Sequence, residues 1–276
     1  MATRRDVLRL AVAAPAGIAV AGVADSAQAL ATCNMEMVVK AAQWDPARRR
    51  FAVTPGAGPS VKLVQSALKA KGLLNAAVDG NFGKVTVSAY AAWQRRLGYR
   101  GLDATGLPGP TSMRKLAVGR FSLYRPINVG SRVIYRGHRF NNRTYRMLVE
   151  AERLAGIRFK ITQGSYNAGR VALSAGTHDG GGAVDIGATA LTSAQRLRVT
   201  RALRQVGFAA WTRNPSQGRW AWHIHAIAIS DTDMSTGARR QTGDYFEGRN
   251  GLAGGRADDG PKVTKLTWEE YQRGVR

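Results

Sequence analysis

Apolar residues recur at helical spacing in the region from residue 60 to residue 119. Val61, Val64 and Leu68 lie three to four positions apart and are followed by a glycine, a common helix end. Gly-rich turns separate this segment from two more of the same kind. The pattern predicts helices over residues 60–72, 86–97 and 111–116. We therefore expect residues 60–119 to form a small three-helix bundle.

The larger part of the chain, residues 120–276, mixes helical and strand patterns. Residues 142–155 and 193–205 carry apolar positions at helical spacing. Residues 157–162 alternate like a strand, and residues 219–227 are rich in the aromatic and branched side chains that favour strands. Only residues 267–272 of the C-terminal tail have a helical pattern. We expect an α+β fold class: a helical bundle followed by an α+β domain.

Residues 32–59 show no clear periodicity. They end in a cluster of helix-breaking residues, Thr54 to Pro59. The interpretation is an irregular linker before the bundle.

The first 31 residues have the anatomy of a signal peptide. Arginines at positions 4, 5 and 9 precede a weakly apolar run that is too short and too rich in Gly and Pro to span a membrane. Small residues follow at Ala27 to Ala31. The adjacent arginines resemble a twin-arginine export signal, and an ordinary secretory signal is the alternative. Cys33 matches a lipoprotein acceptor site weakly, and a lone cysteine without such a role is the other interpretation.

Charge narrows the possible partners. The chain has 276 residues, with 41 Lys and Arg against 18 Asp and Glu, and a formal net charge of +23. Residues 1–31 contribute a net +1, so +22 would remain after their removal. A net positive charge of this size favours binding to polyanions, either nucleic acid or the anionic polymers of a bacterial wall. An export signal favours the wall, and we expect no specific nucleic-acid partner and no membrane span after signal removal.

Three of the four histidines fall in two short motifs. His223 and His225 point to the same face of a strand because side chains alternate. His178 and Asp185 flank three consecutive glycines. Imidazole and carboxylate together suit a divalent metal, and three ligands with one open position are typical of catalytic zinc. A polar loop without metal is the alternative. A single cysteine excludes a thiolate zinc site, and the chain lacks the His-Glu-x-x-His motif.

Two resemblances to known families follow from these motifs. The spaced residues of the bundle, including Gln65, Asp79-Gly80 and Trp93-Gln94, resemble the peptidoglycan-binding domain of bacterial wall hydrolases. The spacing of His178, Asp185 and His225 resembles the D-alanyl-D-alanine carboxypeptidase family of zinc peptidases, which includes endolysins. That resemblance implies Zn²⁺ held by these three residues. We assign metal binding to His225 and a catalytic role to its neighbour, His223, rather than the reverse.

The chain departs from the peptidase pattern in two places. No carboxylate stands in the few residues before His225, so the general base would be His223, Asp179 or a remote acid, or would be missing. The family's substrate-clamping arginine is also missing from its usual place, and Arg170 is the nearest substitute for substrate binding. The absence of the clamp favours cleavage within a peptide over carboxypeptidase action.

The resulting hypothesis is an exported, wall-targeted zinc metallopeptidase that hydrolyses an amide of the peptidoglycan stem peptide. The principal alternative is a non-catalytic peptidoglycan-binding protein with a degenerate or structural metal site. A secreted nucleic-acid binder is a third, weaker alternative, because charge supports it and no recognition motif does.

Overall fold

The computed structural model describes residues 29–169, 174–251 and 255–275. The predicted signal segment therefore falls almost entirely outside the described residues, as does Arg170. Among the residues described, no helix is both long and apolar enough to cross a membrane.

Eight α-helices and eight strands make up the described chain, together with short 3-10 turns, and the fold class is α+β as predicted. The helices are α1 Met35–Trp44, α2 Gly58–Ala70, α3 Lys84–Arg96, α4 Pro110–Ala117, α5 Asn142–Ala155, α6 Ser193–Gln205, α7 Thr236–Phe246 and α8 Trp268–Gln272. The strands are β1 Thr32–Asn34, β2 Ser122–Tyr124, β3 Arg132–Tyr135, β4 His138–Asn141, β5 Ile161–Gln163, β6 Ala183–Gly187, β7 Phe208–Arg213 and β8 His223–Ala228.

Helices α2, α3 and α4 form the predicted bundle. Two buried glutamines fix its turns: the Gln65 side chain accepts from the Gly80 backbone N–H at 2.8 Å, and the Gln94 side chain accepts from Gly106 at 2.8 Å. Gly80 has a φ of +85°, and a Cβ there would lie 3.1 Å from the backbone of Gly58. Phe82 is fully buried. These motif residues therefore hold the bundle together.

The irregular linker expected over residues 32–59 is wrong for residues 32–47, which form β1, α1 and a 3-10 turn, whereas residues 48–57 contain no helix or strand. Strand β1 pairs in parallel with β2, and α1 buries Met35, Val38, Val39 and Ala42. Those four residues have the i, i+3, i+4, i+7 spacing of a helix face. The breaker cluster lies well beyond the end of α1, where it forms a turn and the first two residues of α2. Asp45 is buried too, and accepts from the Phe82 N–H at 2.8 Å.

Cys33 belongs to this same buried segment. Its side chain is fully buried in β1, with its Sγ 3.6 Å from the Ser60 carbonyl oxygen. Burial raises the pKa of the thiol to about 12. Cys33 is therefore a small core residue in the folded chain.

Helix α1 joins the two halves of the molecule. It packs against both α2 and α7. Ion pairs join its Lys40 to Glu270 at 2.9 Å and its Glu36 to Arg273 at 2.6 Å. The apolar core of the bundle also continues into the second half through Ala183, Ile227, Met234 and Ala238. The bundle is thus packed directly onto the α+β part of the chain.

A four-stranded antiparallel sheet, ordered β5-β6-β8-β7, is the frame of the second half. Helices α5 and α6 cover one face, where Val184, Ile186, Ile224 and Ala226 are buried. Because successive side chains along a strand point to opposite faces of the sheet, Asp185, His223 and His225 lie on the other face. Helix α7 packs against β7 and β8 on that second face of the sheet. The sequence predicted a helix in the C-terminal tail only at residues 267–272, so α7 was missed.

Candidate metal centre

Strand register brings two of the predicted ligands together. In the antiparallel pair of β6 and β8, Asp185 lies directly opposite His225. Directly paired residues have Cβ atoms about 5 Å apart, so their side chains meet on the same face. The His225 Nδ1 atom lies 2.7 Å from Asp185 Oδ1.

The third predicted ligand, His178, comes from the loop before β6. Its side chain is only 1% exposed, and its Nε2 atom lies 3.4 Å from Asp185 Oδ2. The preceding segment holds the loop in place, because the N–H groups of Tyr166 and Asn167 donate to the carbonyls of Gly180 and His178, both at 2.9 Å. The donor atoms of His178, Asp185 and His225 all lie within 4.8 Å of one another.

The outer nitrogen of each imidazole has an acceptor. His178 Nδ1 lies 2.9 Å from the carbonyl oxygen of Gly164, and His225 Nε2 lies 2.8 Å from Gln241 Oε1. A carbonyl oxygen can only accept, so both outer nitrogens carry the proton. The lone pairs of His178 Nε2 and His225 Nδ1 are then directed at the Asp185 carboxylate. Two lone pairs directed at a carboxylate are stable only with a positive charge between them, either a metal ion or a proton that makes one imidazole an imidazolium.

The donor set fits zinc. Zinc binds imidazole nitrogen and carboxylate oxygen at about 2.0–2.2 Å, which separates the ligand atoms of a tetrahedral site by about 3.4 Å. The separations of 2.7 and 3.4 Å and the upper limit of 4.8 Å bracket that value. An acceptor on the outer nitrogen is also the usual support of a metal-ligating histidine.

The charges of the buried groups suit a cation as well. Burial raises the pKa of the Asp185 carboxyl, but the hydrogen bonds and charges of the two histidines outweigh it, and the net pKa is far below the usual range. Burial lowers the pKa of His225 by more than Asp185 raises it. The arrangement therefore favours an ionised carboxylate beside a neutral imidazole, the protonation states that ligate metals.

The three glycines between His178 and Asp185 are required by close packing. A Cβ at Gly180 would lie 2.3 Å from the Asp233 carbonyl oxygen, and one at Gly181 would lie 2.8 Å from Asp231 Oδ1. Asp231 is itself fully buried and accepts from the Asn141 side chain at 2.7 Å and from its own loop. Because glycines have no side chains, the loop between His178 and Asp185 can pack directly against the buried Asp231.

His223, predicted to be catalytic, lies one pleat from His225 on the same face of β8. Its Nδ1 lies 2.9 Å from the Ala221 carbonyl oxygen, which leaves Nε2 as the proton-accepting atom of the ring. The Trp220 ring stands edge-on to it with the centroids 5.9 Å apart. His223 and the three candidate ligands line one cavity of about 580 Å³.

A second cavity, of about 880 Å³, adjoins the first. The two share Ser174, Asp185, Trp220 and His223 among their lining residues. The candidate metal centre therefore lies where two halves of a longer cleft meet. Among the described lining residues, Asp185 is the only carboxylate in either half, and Asp179 lines neither.

Sequence reasoning missed two supports of the centre. Gln241 lies on α7, which was not predicted, and no motif marked it. Trp211 lies opposite His225 on the neighbouring β7, with its ring stacked on the imidazole at 6.4 Å between centroids. The continuous apolar residues from Phe208 to Trp211 are typical of a buried strand, and they could have predicted β7 from the sequence.

The comparisons with known proteins concern the bundle. Residues 57–116 match the family model described as "Putative peptidoglycan binding domain". The chain thus carries a domain of the peptidoglycan-binding type, which agrees with the resemblance of residues 60–119 and supports association with the bacterial wall. No match was found among curated proteins, and none among solved structures.

Proposed function

We propose that this chain is an exported zinc peptidase that binds peptidoglycan through residues 57–116 and hydrolyses an amide bond of the stem peptide. The observation that carries the proposal is the convergence of His178 Nε2, Asp185 and His225 Nδ1, with both outer imidazole nitrogens already held by acceptors. The match to a peptidoglycan-binding domain supports the class of substrate.

The side chains around the centre supply the remaining functions of a hydrolase. Zinc bound there would supply a Lewis acid, which polarises a carbonyl and lowers the pKa of water toward about 7. His223 Nε2 is the group we assign as general base, since its lone pair is available in the same cavity and no second carboxylate lines it in the described residues. The cleft formed by the two cavities offers room for an extended peptide on both sides of the centre.

The lack of a second carboxylate also supports the alternative, a non-catalytic wall-binding protein with a structural metal. The two functions differ in what happens to a peptide. We would incubate the purified protein with peptidoglycan fragments, with and without a chelator, and follow new amino termini by mass spectrometry. Chelator-sensitive cleavage supports the peptidase. Binding to peptidoglycan without a new terminus, across several stem-peptide chemistries, supports the alternative.

Single-site variants separate the two roles of the histidines. His178→Ala and His225→Ala should lose stoichiometric zinc, whereas His223→Ala should retain zinc and lose cleavage. His138→Ala is the matched control, because this fourth histidine lies on β4 and lines neither half of the cleft. Retained zinc in either ligand variant would contradict the assignment, and full activity of His223→Ala would exclude it as the base.

A further inference from the structure

Two tryptophans lie close to the candidate metal centre in the aromatic stretch of residues 219–227. Trp220 and Trp222 both line the larger half of the cleft, the cavity of about 880 Å³, and Trp220 lines the smaller half as well. That volume is within the range of about 300–1,000 Å³ that is typical of small-molecule sites. The larger half therefore has the size of a binding site and adjoins the centre.

The larger half is open on the side of the metal ligands because of a glycine. Gly187 lies two positions after Asp185 on β6, hence on the same face of the sheet, and directly opposite His223. A Cβ at Gly187 would lie 3.1 Å from Thr162 Cγ2 and 3.6 Å from Lys160 Cδ. Since Gly187 has no side chain, a substrate group can lie against the backbone of β6 beside Asp185.

The lining of the larger half combines apolar side chains with uncharged polar ones. Besides the two tryptophans, it includes the apolar Ile157, Phe159 and Leu191 and the uncharged polar Thr162, Gln163 and Thr189. Among the described lining residues Asp185 is the only carboxylate, and it belongs to the candidate centre. A substrate ammonium group would therefore have no counter-charge in this half. The lining suits a group that is uncharged, partly apolar and rich in hydrogen-bonding atoms.

A sugar ring has this combination of properties. One face of the ring carries C–H groups that can pack on an aromatic side chain, and the hydroxyl and amide groups at its edge need hydrogen-bond partners. One face of the Trp222 ring is covered by the guanidinium of Arg196, 3.9 Å from the ring centroid. Trp220 is half-buried and lines both halves of the cleft. Trp220 is therefore the ring that we assign to the sugar.

The bundle supplies an independent reason to expect sugar at this site. Residues 57–116 match a peptidoglycan-binding domain, and peptidoglycan is a glycan that carries peptides. The apolar core of the bundle continues into the half of the molecule that holds the cleft. A stem peptide attached to its glycan is thus the form of substrate that the bundle would bring to the cleft.

We propose that the larger half of the cleft binds a sugar ring stacked on Trp220, so that the substrate is a stem peptide still attached to its glycan. This inference rests on the proposed function and deepens it by naming the form of the substrate. The cleaved amide then lies near the sugar-bearing end of the stem. A free peptide lacks the group that the larger half binds.

The test measures binding by metal-free protein, prepared with a chelator, so that turnover and zinc do not contribute. The ligands for calorimetry are a synthetic N-acetylmuramoyl peptide and the same peptide with an acetylated amino terminus. Both have the same charge, so the exposed Arg158 and Lys160 of the lining affect them equally. The wild-type protein should bind the sugar-bearing peptide about tenfold more tightly, the effect of one aromatic stacking contact.

Three variants and a control locate the effect, with circular dichroism to confirm folding. Trp220→Leu should remove the preference for the sugar-bearing peptide, whereas Trp220→Phe should keep most of it because an aromatic face remains. Gly187→Val should reduce the preference by narrowing the larger half, and should still bind stoichiometric zinc. Phe51→Ala is the control. It removes an aromatic ring that is 70% exposed and lines a cavity at the bundle, and it should leave the preference unchanged.

Equal binding of the two ligands by the wild type would overturn the proposal. A preference lost in Phe51→Ala and kept in Trp220→Leu would also overturn it, because the sugar would then bind at the bundle. An equal loss in Trp220→Phe and Trp220→Leu would overturn it as well, since the effect would be one of packing.

Failure of the proposed function gives a different result. A protein that prefers the sugar-bearing peptide but never cleaves it with zinc has the sugar site and is not a peptidase. A protein that cleaves with zinc but binds both ligands equally is a peptidase without the sugar site.

Discussion

Gln241 offers a sharp test of how the candidate centre is supported. Its Oε1 accepts from His225 Nε2 at 2.8 Å, and the side chain is only 9% exposed. This bond sets the tautomer that leaves the Nδ1 lone pair directed at Asp185. Gln241→Ala removes the acceptor, so His225 can carry its proton on either nitrogen and its ring is free to turn.

Loss of such an outer partner typically weakens metal affinity by about 10- to 100-fold, which corresponds to about 1.4–2.8 kcal/mol. Gln241 supports one of two imidazoles, and Gly164 still holds the other, so we expect the lower half of that range. Gln241→Glu should retain affinity or increase it, because a carboxylate also accepts from Nε2 and makes the imidazole more basic.

The assay is zinc competition with a chromophoric chelator at fixed pH, with circular dichroism as a check that each variant is folded. The reasoning is refuted if folded Gln241→Ala binds zinc as tightly as the wild type. It is also refuted if Gln241→Glu loses as much affinity as Gln241→Ala, since the effect would then be one of packing.

Three further predictions concern the frame of the site. Gly181→Ala should lower the stability of the fold by about 1–3 kcal/mol, because its Cβ would lie 2.8 Å from Asp231 Oδ1 and 2.9 Å from the Tyr166 hydroxyl; an unchanged thermal midpoint would contradict the packing described. Burial raises the pKa of Asp258, but hydrogen bonds from Arg204 outweigh it and the net pKa is lowered. Its contribution to stability is therefore present above the unfolded pKa of about 3.9 and is lost as the pH falls through the lower folded value. Asp258→Asn should cost about 3 kcal/mol in urea unfolding at pH 7, and the gap to wild type should narrow only below about pH 4; a gap that closes between pH 7 and 5 would argue against this pair. Cys33 should resist alkylation by iodoacetamide at pH 8 in the native protein and react fully in denaturant, as its burial and its pKa of about 12 require; rapid native labelling would place it at the surface.

The spacing of apolar residues was enough to predict five of the helices. Helices α5 and α6 have the bounds that their apolar spacing predicts, and each end of α2, α3 and α4 differs from its predicted position by one or two residues. Helix α1 was missed because a Pro- and Gly-rich cluster dominated the interpretation of its region, although Met35, Val38, Val39 and Ala42 share one face. Helix α7 contains Gly237 and Gly243 and mostly polar residues, so its sequence lacks a helical signal.

Some features of the candidate site can likewise be predicted from the local sequence, and the others depend on tertiary packing. Alternation along β8 is by itself enough to place His223 and His225 on one face. The pairing of Asp185 with His225 depends on the register between two strands, and the paired residues lie 40 positions apart, so no local pattern encodes it. Gln241 reaches the cavity only through the packing of α7.

The most direct test of the metal centre is anomalous diffraction at the zinc edge from crystals of the zinc-loaded protein. We predict one strong peak bounded by His178 Nε2, the Asp185 carboxylate and His225 Nδ1, with Gln241 still bonded to His225 Nε2. A peak bonded to His225 through Nε2, a peak elsewhere in the molecule, or no peak at saturating zinc would contradict the account.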